Sequence, residues 1–208
     1  MLRKGYDGYL LYFIFLDIDD LKIKSLSAVL LRKLIKINDH EVVNANYEQM
    51  SKEYRDNLKN NMLKALVNEK DKSVKMKICD VIVMVAQNTY ECKEKEKWDE
   101  LLNYISNTLI TPLNETNIIE AESALNLIKG IFSHTHLEIL KGISVLIPVF
   151  RNFFKTNLLS LKTRTVETIC EIMCIVDKSH TKMLKEFVNS ILETTFQCLQ
   201  NGKEEVNV

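Results

Sequence analysis

Apolar residues recur at helical spacing along almost the whole chain. Between Leu21 and Ile37 they fall at positions 23, 26, 30, 31, 34 and 35. Between Tyr47 and Glu69 they fall at 47, 50, 54, 58, 62, 63, 66 and 67. Steps of three and four put these side chains on one face, so both segments predict amphipathic helices. Val74–Gln87 is apolar on most sides and predicts a helix buried nearly all round. A strand over Ile82–Val85 is the rival, but the segment is longer than a typical strand. Trp98–Thr111 carries apolar residues at 98, 101, 102, 105 and 109, and Pro112 stops it. Asn114 and Glu115 are suited to open the next helix, Ile118–Phe132. His136–Lys155 follows, with Leu137, Leu140, Ile143, Leu146, Ile147, Phe150 and Phe154 on its apolar face and a kink expected at Pro148. Leu158–Val176 and Lys182–Leu199 complete the set. Asn201–Val208 has no periodicity and is expected to fray.

Helices without strands predict a bundle or a solenoid, and internal repetition separates the two. The segments starting at Ile23, Val74, Ile119 and Leu161 align without gaps as IKSLSAVLL, VKMKICDVI, IEAESALNL and LKTRTVETI, at offsets of 51, 45 and 42 residues. Five positions after each start stands a small or medium residue: Ala28, Cys79, Ala124 and Val166. Another amphipathic helix lies between each pair. A two-helix unit repeating every 40–50 residues is the HEAT or armadillo period. Neither helix covers its apolar face alone; stacking buries a continuous core, and the small residues let backbones approach. Apolar surface is expected at the C-terminal end, with Phe187, Ile191 and Phe196 as candidates.

Composition narrows the function. The 28 basic residues balance the 28 acidic ones, so there is no basic excess for phosphate neutralisation. Hydrophobic residues make up 46%, which argues against disorder. Five Gly and two Pro cannot supply the turns of a sandwich, and no phosphate-binding glycine motif occurs. Five Cys without a CxxC do not suggest a disulfide framework. Cys170 and Cys174 share a helix face and are read as small residues buried in a helix seam. His40, His134, His136 and His180 are expected in loops or at helix starts, with no cluster to complete a metal or nucleophilic site. The KEKEK run Lys93–Lys97 reads as a solvated loop. No enzyme signature stands out, so a binding scaffold is expected rather than an enzyme, with no catalytic residues, no metal and no cofactor. The apolar stretch Tyr9–Leu16 is too short to span a bilayer and no small-residue cleavage site follows it. A signal peptide, a buried helix or strand fragment, and sequence outside the native fold are its three readings, the first the weakest.

The stretch Ser27–Leu34 (SAVLLRKL) resembles the AAVLLRRL segment in the first repeats of karyopherin-β (importin-β) receptors. Val74–Asp80 (VKMKICD) resembles a second-repeat segment of the type RKKVCD. Trp98, opening WDELLNYI, resembles the WPEGLKFL start of the third repeat. Ala124–Leu125 followed by Ile131–Phe132 fits the inner helix after it. The nearest branch is the importin 5 (importin-β3) type, and the resemblance covers about residues 19–200.

The resemblance implies an all-α, right-handed HEAT-repeat solenoid of antiparallel helix pairs, of which this chain is an N-terminal fragment. The expected organisation is an atypical segment at 1–18 and about four repeats over 19–200. These are a partial first repeat, 46–90, 95–133, 135–177 and the first helix of the next unit at 180–199, with a tail at 201–208. The resemblance also implies a nuclear transport receptor that shuttles between cytoplasm and nucleus. Its partners would be Ran-GTP, FG-nucleoporins and protein cargo, the last held mainly by later repeats. No direct nucleic-acid or membrane contact is implied. In the family the Ran site lies on the concave face, built from second helices. Opposite the expected core face of Val74, Ile78, Val81, Ile82 and Val85, one helix presents Lys77, Asp80, Met84 and Gln87. The 45 and 42 offsets carry these to Glu122, Leu125 and Lys129, then to Arg164, Glu167 and Glu171. A HEAT-repeat scaffold for a multiprotein assembly, such as a phosphatase, is the alternative.

Overall fold

The computed structural model describes residues 20–35, 47, 50–92 and 96–206. Tyr9–Leu16 and His40, discussed above, lie outside them, as do the side chains of His136 and His180. All regular structure among the described residues is helical. The chain divides after Leu101 into two compact units.

In the first unit, α1 (Leu21–Ile35) and α2 (Lys52–Asn68) both pack on α3 (Lys72–Glu91). This explains why α3 is apolar on most sides: Val74, Ile78, Cys79, Val81, Ile82, Val85 and Ala86 are all buried. The strand reading of Ile82–Val85 is therefore excluded. Caps set the helix starts. Asp20 Oδ1 accepts from the amides of Lys22 and Ile23, Ser51 Oγ from Tyr54, and Asp71 Oδ1 from Val74. Helix α1 faces α3 through Ala28, Leu31 and Ile35, whereas Ile23, Leu26 and Leu30 are exposed. Its apolar stripe is thus wider than the face α3 covers.

Helix α4 (Asp99–Ile110) contains the division between the units. In the second unit, α5 (Ile118–Lys141) packs on α7 (Leu159–Ile175), which also carries α6 (Ile143–Phe154), α8 (Lys178–Leu184) and α9 (Val188–Val206). The tightly packed seam has Ala124 and Leu125 fully buried. There Thr168 Oγ1 donates to the Leu125 carbonyl of the facing helix at 3.2 Å, a close backbone approach that a small residue permits.

Three features differ from expectation, and a fourth, the break before His136, takes the form of a kink. Helix α5 does not open at Asn114, which instead caps its own turn by accepting from the Thr116 amide. The first α5 hydrogen bond runs from Ala121 to the Asn117 carbonyl. The break expected before His136 is a single non-helical residue, Thr135, with φ −124° and ψ 15°. The expected break is therefore present as a kink, with His134 and His136 on either side of it, and a second break follows at Gly142. Pro148 sits within α6, and the non-helical residue is Thr135 in the helix before it. Lys182–Leu199 is not one helix but α8, a 3₁₀ turn at Lys185–Phe187, and α9, which runs through the expected fraying tail to Val206.

The 3₁₀ turn has a packing cause. Phe187 is buried, with its ring 6.1 Å edge-on from Phe150 and 5.7 Å from Phe154. Phe187 is thus a core residue and not part of an exposed end. The exposed stripe lies one helical face away, at Val188, Leu192, Phe196 and Leu199, with Ile191 half-buried. The Cys170 and Cys174 expectation also fails: both side chains are exposed, because the buried face of α7 is Leu161, Thr165, Thr168, Ile169 and Ile172.

Candidate interaction surface

The aligned helices α1 and α3, and likewise α5 and α7, run in the same direction in register. Start meets start: Lys24 of α1 bonds Glu69 just before α3 at 3.2 Å, and Ser160 of α7 bonds Glu122 of α5 at 2.6 Å. Their outer faces carry the predicted positions. On α3, Lys77, Met84 and Gln87 are half-buried, and the Asp80 carboxylate accepts from Arg32 of α1 at 3.0 Å. On α5 and α7, Lys129 Nζ donates to Glu167 Oε2 at 2.7 Å. Arg164 Nη1 donates to the same oxygen at 2.9 Å. Glu171 is half-buried.

Glu122 and Leu125 do not present a free face. They are 1% and 0% exposed, because the start of α7 lies over them and Ser160 hydrogen-bonds the Glu122 carboxylate. An offset carries a position along the chain but does not report what packs above it.

The pairings follow a rule that the alignment alone did not show. Arg32 and Asp80 are 48 residues apart, one turn short of the 51-residue offset. Lys129 and Glu167 are 38 apart, one turn short of 42. Helical side chains lean toward the N-terminus of their own helix, so a long cation reaches a partner one turn earlier on a parallel neighbour. Looking for opposite charges at the offset less one turn would have found Arg32.

Burial alone would raise the Glu167 carboxyl, but the Lys129 hydrogen bond and the Lys129 and Arg164 charges outweigh it and hold it below the usual carboxylate range. Glu69 behaves alike: burial opposes ionisation, while amide bonds from Asp71 and Lys70 and the Lys24 ammonium win. Because the Lys129 and Glu167 side chains are 35% and 37% exposed, their bridge is screened. A double-mutant cycle of Lys129→Ala and Glu167→Ala is expected to give a coupling of about 0.2–1 kcal/mol, shrinking in high salt. Denaturant unfolding measures it; a coupling well above that range would show a drier pair.

A second charged cluster was not anticipated. Glu96, from the KEKEK run, is not solvated: its side chain is 10% exposed. Its Oε1 accepts from Arg55 Nε and Nη2, at 3.0 and 2.6 Å, and its Oε2 from Lys59 at 3.0 Å. Arg55 also donates to the Met50 carbonyl and lies 5.7 Å from the Tyr47 ring centre. Tyr47 closes the cluster through a 2.7 Å hydroxyl bond to Thr89. Burial would raise Glu96, but the Lys59 and Arg55 bonds reverse this and lower it. Lys59 is raised: burial opposes its charge, and the Asp56 and Glu96 carboxylates overcome that. Arg55 and Lys59 share one face of α2 because they are one turn apart, a spacing visible in the sequence without its distant acid.

Among the described residues no group of three or more His, Cys, Asp and Glu could hold a metal ion, and no helix is long and apolar enough to cross a membrane. Within each unit, two parallel helices present an outer face with paired charges.

This architecture recurs in known structures. The chain is similar to crystal structures of the karyopherin Kap121p. With Kap121p bound to Pho4p it shares 22% identity at a TM-score of 0.70, over 98% of this chain and 18% of that one. With Kap121p bound to Nup53p the figures are 23% and 0.69, over 95% and 18%. With Kap121p bound to RanGTP they are 20% and 0.66, over 97% and 17%. The chain thus spans less than a fifth of the length of these relatives. No curated protein sequence matches it. The fold is that of the karyopherin HEAT-repeat α-solenoids. Residues 70–208 match the family described as "IPO5-like, TPR repeats", and the chain belongs to this importin 5-like group of the karyopherin-β family.

Proposed function

We propose that the chain is part of a nuclear transport receptor of the importin-β class. It binds Ran-GTP and FG-nucleoporins, shuttles between cytoplasm and nucleus, and belongs to a receptor that holds protein cargo mainly through repeats outside these 208 residues. The supporting observation is the likeness over nearly the whole chain to Kap121p, whose structures include complexes with RanGTP, Nup53p and Pho4p. The repeat boundaries 46–90, 95–133 and 135–177 belong to the same reading.

The Ran-facing residues we assign are Lys77, Asp80, Met84 and Gln87 on the outer face of α3 in the first unit, and Lys129, Arg164, Glu167 and Glu171 on the outer face of α5 and α7 in the second. Glu122 acts there indirectly, holding Ser160 at the start of α7. Arg32–Asp80 and Lys129–Glu167 keep those side chains extended across neighbouring helices, which lowers the ordering cost when a partner arrives.

Immobilised Ran charged with GTP or GDP tests this directly. The 208-residue chain is expected to be retained by the GTP form and not by the GDP form. The paired substitution Lys129→Ala with Arg164→Ala should weaken retention by about tenfold, equivalent to 1.4 kcal/mol. Equal retention by both forms, or none, would reject the Ran assignment and leave the scaffold reading.

A further inference from the structure

Cys170 and Cys174 are both exposed and carry free thiols, and they stand one turn apart on the continuous helix α7. Burial first, and then the neighbouring Cys174, pushes the Cys170 thiol up.

A redox role fits this pair poorly. Residues four apart in a helix have Cβ atoms about 5–6 Å apart. A disulfide needs about 3.5–4.5 Å, so closing one would unwind the end of α7. A raised thiol is also a poor nucleophile toward oxidants and electrophiles.

Coordination fits better. Two metal–sulfur bonds of about 2.3 Å let the sulfurs stand up to about 4.6 Å apart, which side-chain rotation reaches without moving the backbone. The spacing supplies two soft donors, and the Glu167 carboxylate on the same side of α7 is already held by Lys129 and Arg164. Among the described residues no third His, Cys, Asp or Glu completes a group with the pair, which by itself supplies two of the four ligands that zinc takes. Soft thiolates at low coordination number select monovalent copper.

We propose that Cys170 and Cys174 form a two-coordinate surface site for Cu(I). Each thiol releases its proton to solvent as its sulfur–copper bond forms, and the metal stays monovalent throughout. The site is independent of the transport reading.

An anaerobic titration of the 208-residue chain with Cu(I), against a chromogenic copper chelator, tests it. One copper per chain is expected, with an ultraviolet thiolate-to-copper band and an affinity that rises with pH as two protons leave. Cys170→Ser or Cys174→Ser should each cost roughly 10²–10⁴ in affinity, the gain that linking two ligands provides. Both sites are exposed, so circular dichroism should show an intact fold. Cys198→Ser should keep the copper; Cys79 and Cys92 are buried. If the chelator retains all the copper, if either single variant binds as tightly as the parent, or if Cys198→Ser abolishes binding, the site does not exist.

Discussion

Glu96→Gln is expected to destabilise the first unit by about 3–5 kcal/mol, although it changes one atom in an irregular segment. The substitution removes the carboxylate that Arg55 and Lys59, whose side chains are 6% and 8% exposed, share, and leaves Lys59 with only the more exposed Asp56. Buried cations stripped of a partner carry most of their desolvation cost. Replacing all three residues by Met should be much milder, because an ion cluster and a packed apolar cluster are close in stability. Urea unfolding followed by circular dichroism compares the two. A loss below about 1 kcal/mol for Glu96→Gln would place the pair among screened surface bridges.

The same cluster shapes the pH response. Glu96, Glu69 and Glu167 are all held below the usual carboxylate range. The unfolded chain therefore binds more protons near pH 4 than the folded one, and stability rises with pH through that region. Their contribution is complete above the ordinary carboxyl value of about 4.3 and is lost as pH falls through the lowered values. Lys59 acts at the other end: its raised ammonium contributes fully below about pH 10.4 and less as pH climbs through the raised value. Glu96→Gln should flatten part of the acid limb. An unchanged acid midpoint would assign that limb to the other carboxylates.

Phe150→Ala is expected to cost about 3–5 kcal/mol in the second unit, the range for emptying a buried aromatic site. Phe150 is 0% exposed and meets Phe187 edge-on. Of the loss, about 0.5–1.5 kcal/mol belongs to the ring pair. Because Phe187 anchors the 3₁₀ turn, amides of α6, α8 and the start of α9 should exchange faster. Phe187→Leu, which keeps an apolar plug, should cost less. If the two variants cost the same, the turn depends on ring geometry and not on buried volume.

These sites show what could be read ahead of the structure. The core face of α3 was legible because Val74, Ile78, Val81, Ile82 and Val85 carry the helical period, and every one of them is buried. Of the four small positions that the repeat offsets marked, Ala28, Cys79 and Ala124 are buried and Val166 is only half-buried. Glu96 was not legible. Its neighbours in sequence are charges of alternating sign, while its partners lie 37 and 41 residues away on another helix. Phe187 was placed on the wrong side because a helical wheel assumes one continuous helix, and the 3₁₀ turn resets the phase before Val188.

The sequence by itself determined the helical class and the two-helix repeat, because period and spacing are properties of the chain read one turn at a time, and it pointed to the family through the resemblance of SAVLLRKL, VKMKICD and WDELLNYI. Tertiary structure alone decided which face of each helix is covered. The wheel put Glu122 on the open face and Cys174 in a buried seam, and both placements are reversed. One is sealed under Ser160 and the other is open, because burial depends on what a distant segment places above a residue.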